Sequence, residues 1–198
     1  MLLEKLAAEP FLSGRELARR LGMSNTPIRS AIERLESEGL IVVSPQRGLH
    51  VRQLTNREIA DHYELRELLE PFVCRRLAGN LKPDQVRRLL ANLEELEQSI
   101  GEHGVERIVQ IDTQFHLMLA EFYSNEEIVR AISKLRDKIT QVIVRVFESA
   151  PERLIAGCQE HRRIAEAIID GQPDLAGAFA LDDIQAGKGS VLPRGAWT

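Results

Sequence analysis

The chain contains few of the residues that cross-link a protein or anchor it in a membrane. Its 198 residues include two cysteines, Cys74 and Cys158, which are far apart and form no CxxC pair. We therefore expect both to be reduced core residues rather than partners in a disulfide. No apolar run approaches the roughly 20 residues that a bilayer crossing requires, and the first residues lack the pattern of a signal peptide. These absences predict a cytoplasmic protein.

The net charge of −4 gives little reason to expect a nucleic-acid partner, but the charge is unevenly distributed. Residues 1–52 contain eight basic and six acidic residues, whereas the remainder contains 18 basic and 24 acidic residues. The N-terminal part is therefore basic and the remainder acidic. This is the charge asymmetry expected when a DNA-binding domain is joined to another domain. The length is sufficient for one or two domains, each with its own core.

Residues 12–41 have the pattern of two helices joined by a short turn. Ser13 begins a capping box with the glutamate three residues later, Gly22 ends the first helix, and Ser24 is placed to cap the second. The second helix then has an apolar side, formed by Ile28, Ile32 and Leu35, and a polar side that includes Asn25, Thr26 and Arg29. This arrangement predicts a helix-turn-helix whose second helix enters the DNA major groove.

The next residues predict a two-stranded wing, with strands at 40–43 and 49–51 and Arg47 at the tip of the turn. The run SNTPIRSAIERLESEGLIVVSPQRGLHV resembles the winged helix-turn-helix of the GntR family of bacterial repressors. The resemblance implies a DNA-binding domain over residues 1–52, with DNA contacts from the following positions: Arg15, Asn25, Thr26, Arg29, Arg47 and Gly48. Asn25 stands where the family usually has arginine, and asparagine favours adenine over guanine. The alternative is a small helical domain that merely shares this pattern.

From residue 55 onward the pattern is helical. Thr55 begins a second capping box, Pro71 is expected to kink the long helix that follows, and Pro83, Pro151 and Pro173 are placed to open later helices. We expect a mainly α protein in which residues 55–186 form an all-α six-helix antiparallel bundle. Residues 187–198 contain three glycines and a proline, and they predict a flexible tail.

Three residues of this helical part have the chemistry and spacing of a metal site. Asp112 and His116 are four apart on an apolar helix face, and His161 lies in line with the apolar positions of a later helix. A buried carboxylate is costly unless it is paired or bound to a metal. Nitrogen and oxygen ligands from two helices suit a divalent metal such as zinc, nickel or manganese. The alternative is a hydrogen-bonded core network without metal.

The helical part resembles the effector-binding (FCD) domain of the FadR branch of the GntR family, in the following segments: YELRELLE (63–70), DTQFHLML (112–119) and EHRRIAEAI (160–168). The helix count favours the VanR-like subgroup. In metal-binding members the ligands match Asp112, His116 and His161, with a further histidine in the final helix. Asp183 occupies that place here. It either supplies a harder oxygen ligand, shifting preference towards manganese or magnesium, or marks a weakened site.

The resemblance implies a small organic acid as effector, since an open metal position binds a carboxylate. Arg66 is the candidate to bind the acid with its guanidinium, and the alternative is an ion pair with Glu70 on a solvated face. The leading hypothesis is a ligand-responsive transcriptional repressor that binds a pseudo-palindromic operator as a homodimer. One alternative is a regulator whose helical domain only dimerises. A remote alternative, a metal-dependent hydrolase or lyase, leaves the DNA-binding pattern unexplained.

Overall fold

The computed structural model of the chain describes residues 12–44, 48–150 and 152–192. The chain divides into two compact units, residues 1–54 and 55–198. The wing-tip Arg47 and Pro151, which is predicted to open a helix, lie outside the described residues. In the part of the chain that is described, no helix has both the length and the apolar character needed to cross a membrane.

The first unit contains the predicted helix-turn-helix: α1 (Gly14–Leu21) and α2 (Asn25–Ser37). Ser13 Oγ accepts a hydrogen bond from the Glu16 amide, but the Glu16 carboxylate binds Arg19 and Arg20 instead of returning to Ser13. Only half of this capping box therefore forms. Gly22 ends α1 with φ 63°, the left-handed conformation that favours glycine. Ser24 precedes α2 in an extended conformation but makes no side-chain capping bond.

The wing follows as two antiparallel strands, β1 (Ile41–Ser44) and β2 (Gly48–Val51). Leu12 attaches to β2 through two backbone hydrogen bonds with Leu49, of 3.1 and 2.7 Å. Gly48 has φ 90°, and a Cβ added there would lie 2.7 Å from the carbonyl oxygen of Leu12. A glycine is therefore required where the wing meets the start of the helix-turn-helix. Side chains from both helices and both strands close a small core, formed by Leu12, Leu17, Ala18, Ile28, Ile41 and Leu49.

The second unit is helical throughout its described residues. Its helices are α3 (Asn56–Leu77), α4 (Pro83–Ser99), α5 (Val105–Tyr123), α6 (Glu126–Ser149), α7 (Glu152–Ile169) and α8 (Pro173–Val191). Thr55 caps α3 with both halves of the predicted capping box present. Pro71 lies inside α3, which continues as one helix to Leu77.

Helix α3 contacts four others of this unit, α5, α6, α7 and α8. Helices α7 and α8 pack against each other, and α4 packs against both α5 and α7. The main core includes Val73, Leu89, Phe115 and Ile164, each at most 2% exposed. The bundle therefore brings the middle turns of α3, α5, α7 and α8 together, which is where the predicted metal residues lie.

The flexible tail predicted from residue 187 is wrong for its first five residues, because α8 continues to Val191. Packing explains the difference. Lys188 makes a 3.0 Å ion pair with Glu67 of α3, and Gly187 lies so close to Tyr63 that an added Cβ would be 3.3 Å from the phenol oxygen. Such contacts outweigh the cost of glycine in a helix, about 1 kcal/mol per residue. Residues 193–198 lie outside the described part of the chain.

Candidate metal centre

Three of the predicted ligands converge in the bundle. Helix α5 places Asp112 and His116 one turn apart, and α7 brings His161 against them. The Nε2 atom of His161 lies 3.2 Å from His116 Nε2 and 3.4 Å from Asp112 Oδ1. The distance from Asp112 Oδ1 to His116 Nε2 is 4.0 Å. Both imidazoles are buried, and the Asp112 side chain is 15% exposed.

These distances fit a shared metal ion. Ligand atoms bound tetrahedrally at about 2.0–2.2 Å from zinc lie roughly 3.3–3.6 Å from one another. A hydrogen bond between the two imidazoles accounts for the shortest of the three contacts but leaves the two contacts with Asp112 longer than ordinary hydrogen bonds. The donor set and its spacing therefore suit a divalent ion better than a closed hydrogen-bonded network.

Asp183 of α8 faces the same point from another side. Its Oδ2 lies 3.8 Å from His116 Nε2, and its Oδ1 lies 3.8 Å from His161 Nε2. The residue is 7% exposed, whereas the neighbouring Asp182 is exposed. Asp183 is thus the acid of the final helix that approaches the cluster, at the place where the resemblance implies a histidine.

Glu70 of α3 determines how His116 presents its nitrogens. Its Oε2 lies 2.6 Å from His116 Nδ1. Burial by itself raises the pKa of Glu70, but the charges of Arg66 and Arg136 outweigh it and lower this pKa below its ordinary value. An ionised carboxylate only accepts hydrogen bonds, so Nδ1 donates to Glu70, and in the neutral imidazole the lone pair of Nε2 then faces the cluster. The imidazole ring of His161 stacks on the ring of Phe115, with 4.0 Å between the two ring centroids, and this contact orients the His161 side chain.

Arg66 is buried and its guanidinium is occupied. Its Nε donates to Glu70 Oε1 at 2.6 Å, and its Nη2 approaches Glu70 Oε2 at 3.4 Å. The ion pair considered as the alternative for Arg66 therefore forms. Its predicted setting on a solvated face is wrong, because Arg66 and Glu70 are 3% and 5% exposed. Arg66 lines a cavity beside the cluster, but its Nε and Nη2 already bind Glu70.

Sequence reasoning missed Arg136 of α6, which is 1% exposed. Its Nη1 donates to Asp112 Oδ2 at 2.8 Å, so it holds the carboxylate whose other oxygen faces the histidines. A signal was available, because residue 136 falls in line with Ile132 and Ile139, both fully buried. An arginine in an apolar helix stripe needs a buried acidic partner, and here that partner is Asp112.

A cavity of about 390 Å³, part of it open to solvent, adjoins the cluster. Asp112, His116 and Asp183 form its polar floor. Residues from α3, α6 and the last turns of α8 form its walls, and they include Arg66, Arg136, Ile143, Val146, Phe147, Gly187 and Ser190.

In the first unit, the predicted DNA-contacting positions on α1 and α2 are on the surface. Arg15, Asn25, Thr26 and Arg29 are exposed, and the Arg29 side chain is 82% exposed beside Glu33. Gly48 differs from these, because its conformation and its approach to Leu12 already explain its presence without a contact to DNA.

Comparison with known proteins agrees with both units. Residues 2–51 match the model of the bacterial regulatory proteins of the gntR family, and residues 61–186 match the FCD domain. The chain belongs to the GntR family of bacterial transcriptional regulators. This GntR chain is 30% identical to the Nta operon transcriptional regulator of Aminobacter aminovorans over 185 residues, which are 92% of this chain and 86% of that protein.

Two further proteins resemble this GntR regulator. The transcriptional repressor RspR of Escherichia coli is 27% identical over 159 residues, covering 79% of this chain and 68% of that one. The solved structure of E. coli McbR/YncC superposes with a TM-score of 0.82 at 22% identity, covering 93% and 89% of the two chains, which supports the fold. The family and these relatives are transcriptional regulators, so the hydrolase or lyase alternative is set aside.

Proposed function

We propose that this GntR regulator is a metal-containing, ligand-responsive repressor. Its first unit binds a pseudo-palindromic operator, and its second unit binds a small organic acid and a divalent metal. The observation that carries the proposal is the convergence of Asp112, His116 and His161 on one point beside a cavity in the FCD domain. As a DNA-binding regulator, the protein acts in the cytoplasm.

The DNA-binding part of the proposal is supported by the exposed polar face of α2. Its apolar face holds Ile28 in the core of the first unit, while Asn25, Thr26 and Arg29 remain available at the start of the helix. In helix-turn-helix proteins the first residues of the second helix contact base edges in the major groove. Asn25 suits adenine through a bidentate pair of hydrogen bonds.

The metal part is supported by the ligand geometry and by the residues around it. Asp112, His116 and His161 would hold the ion, with Asp183 as a further oxygen ligand. When bound, a divalent metal supplies a Lewis-acidic position that attracts a carboxylate. Glu70 fixes the orientation of His116, and Arg136 fixes Asp112. Such outer partners are a common feature of metal sites.

The homodimer is supported by an apolar stripe on α3. Leu65, Leu68 and Phe72 follow one another at helical spacing and are 47%, 67% and 43% exposed. Exposed apolar side chains that adjoin one another on a helix indicate an interaction surface. A second copy of the chain is the partner expected, since two DNA-binding units are needed to read two half-sites.

The second candidate, a regulator whose helical domain only dimerises, is disfavoured by the cavity and by the two long contacts with Asp112 described above. A protein that uses this domain for dimerisation alone has no need for a carboxylate facing two histidines beside a solvent-accessible cavity. The following experiment distinguishes this dimerisation-only candidate from the metal-containing repressor.

The experiment is the metal content of untagged protein purified without chelators, compared with His116→Ala. We expect about one divalent ion per chain in the wild type and a loss of it in the variant, because His116 supplies a central ligand. Arg130→Ala, on the exposed side of α6, is the control and should retain the metal. Absence of metal from the wild type after addition of zinc, nickel and manganese would support the dimerisation-only candidate.

A further inference from the structure

The cavity beside the cluster has a cationic end and an apolar end, and α6 supplies both. Arg136 lies at the cluster, and Ile143, Val146 and Phe147 line the wall further along the same helix. Residues 136 and 143 are seven positions apart, so they lie on one helix face about 10 Å from each other along the axis. The cavity therefore suits a molecule with one anionic group and an apolar body.

The three arginines of the cavity differ in their free donors. Arg66 uses Nε and Nη2 to bind Glu70. Arg153, which also lines the cavity, uses Nη2 to bind Glu160, and its buried Nε has no hydrogen-bond partner among the described residues. Arg136 binds Asp112 through Nη1 alone, and its Nε and Nη2 are buried without a hydrogen-bond partner among the described residues. Nε and Nη2 lie on one edge of a guanidinium and donate in parallel, which is the geometry that binds both oxygens of a carboxylate.

Buried donors without partners are costly, and the cost is larger when they belong to a charged group. A ligand carboxylate placed on this edge of Arg136 would remove that cost, and it would do so next to Asp112 and the cluster. A second carboxylate would find no equivalent edge, because Arg66 uses both donors of this edge to bind Glu70 and Arg153 uses one of them, Nη2, to bind Glu160.

The apolar wall limits the rest of the ligand. Ile143, Val146 and Phe147 offer no polar side-chain atom, and the hydroxyl of Ser190 donates to the carbonyl of Ala186 within α8. A ligand hydroxyl against this wall would lose its water without gaining a partner, which is unfavourable. An aliphatic or aromatic body gains instead from burial, because its apolar surface is removed from water.

We propose that the effector is a small monocarboxylate with an apolar body, whose carboxylate binds Nε and Nη2 of Arg136 and whose body lies on Ile143, Val146 and Phe147. This inference rests on the proposed function, which requires an organic acid without naming its class. It makes Arg136, rather than the sequence-predicted Arg66, the residue that recognises the carboxylate.

The test is calorimetric titration of the zinc-saturated protein with three probes: 4-methylpentanoate, gluconate and glutarate. The first has one carboxylate and an apolar body, the second has one carboxylate and a hydroxylated body, and the third has two carboxylates. We expect 4-methylpentanoate to bind at least about tenfold more tightly than the other two probes, a difference of about 1.4 kcal/mol.

Two variants assign the contacts. Arg136→Lys keeps the positive charge beside Asp112 but removes the two-donor edge. We expect it to weaken 4-methylpentanoate binding by about tenfold in protein whose zinc content has first been brought to that of the wild type. Arg130→Lys is the matched control on the exposed side of α6. Val146→Thr adds a hydroxyl to the apolar wall with little change of shape, and it should weaken 4-methylpentanoate more than gluconate.

The outcomes separate this inference from the function on which it rests. Tight binding of gluconate or glutarate without 4-methylpentanoate would overturn the apolar monocarboxylate and leave the organic-acid effector intact. Binding of none of the three probes by the zinc-saturated protein would overturn the organic-acid effector as well. Unchanged 4-methylpentanoate affinity in Arg136→Lys would remove Arg136 from the site.

Discussion

Glu70 connects the charged groups around the cluster, since it accepts from Arg66 and from His116 Nδ1. Replacement by glutamine preserves the size of the side chain but removes the charge that fixes the protonation of His116. We expect Glu70→Gln to lower metal affinity by about 10–100-fold, the usual effect of losing such an outer partner. Competition with a metal-binding dye would measure it.

Glu67→Gln is the matched control, because Glu67 lies on the same helix and pairs with Lys188 instead of the cluster. Equal losses in both variants would show a general effect on α3.

The lowered pKa of Glu70 also makes the stability of the folded protein depend on pH. Its ionised form favours the folded state above about pH 4.3, and this contribution is lost as the pH falls through the folded-state pKa.

Substitution of Arg29 tests whether the exposed polar face of α2 binds DNA. Its side chain is 82% exposed and its ion pair with Glu33 is on the surface, where it contributes little to stability. If Arg29 reads a base, Arg29→Ala should cost roughly 1–3 kcal/mol of operator affinity and relax specificity at one position. The operator would first be selected from random duplexes, and binding would then be followed by fluorescence anisotropy.

Arg34→Ala provides the comparison for Arg29, because Arg34 is 80% exposed and makes the same kind of ion pair, with Glu38, near the end of α2. The first turns of a recognition helix contact base edges, so a smaller loss without a change of specificity is expected for Arg34. Equal losses with unchanged specificity would mean that Arg29 contacts only phosphate.

Spacing within one helix was enough to predict Asp112 and His116 as neighbours, and an apolar register was enough to predict that His161 points inward. Which arginine faces the cavity depends on contacts between helices, and the sequence carries no direct signal for these. Arg66 and Arg136 both fall on inward faces, yet Glu70 lies one turn from Arg66 and occupies its donors. A prediction of a ligand-binding arginine should therefore consider whether an acid one turn away on the same helix already binds it.

The wing depends on a close contact between Gly48 and Leu12, which the turn pattern in the sequence did not reveal. Gly48 begins β2 with φ 90°, and Leu12 closes against it. Gly48→Ala should destabilise the first unit by more than the roughly 1–2 kcal/mol that a left-handed alanine costs, because the added Cβ also meets the Leu12 carbonyl oxygen. Hydrogen exchange at the amides of Leu12 and Leu49 measures the loss directly.

Gly22→Ala separates the two contributions to that loss. Gly22 also has a positive φ, of 63°, but nothing lies within 4 Å of an added Cβ. This variant should therefore show only the conformational cost, roughly 1–2 kcal/mol. Equal destabilisation by Gly48→Ala and Gly22→Ala would mean that the Leu12 segment moves aside and that its close approach adds nothing.

Helix bounds in the second unit were predictable where capping residues and prolines mark them, as at Thr55, Pro83 and Pro173. The end of α8 was not predictable, because local composition and tertiary packing disagree there. Two glycines favour a flexible tail, but Lys188 pairs with Glu67 and Gly187 fits against Tyr63. The same extension places Gly187 and Val191 in the cavity wall, so a boundary error of a few residues hides part of the site.

The proposed repression by a homodimer requires a surface that joins two copies, and the apolar stripe of α3 makes that requirement testable. Leu68 is the most exposed residue of the stripe, at 67%. Burying a leucine at an interface contributes about 1.5–3 kcal/mol, so Leu68→Glu should raise the dimer dissociation constant by ten- to a hundredfold, at about 1.4 kcal/mol per tenfold. Sedimentation velocity across a concentration series measures it.

Leu90→Glu is the control for the dimer, because Leu90 is 41% exposed on α4 and lies outside the stripe. Operator affinity should fall with dimerisation in Leu68→Glu and stay near the wild-type value in Leu90→Glu, since two linked DNA-binding units bind two half-sites with avidity. Metal content should be unaffected in both variants, because neither residue contacts the cluster. A Leu68→Glu protein that sediments as the wild type does would place the dimer interface on another surface.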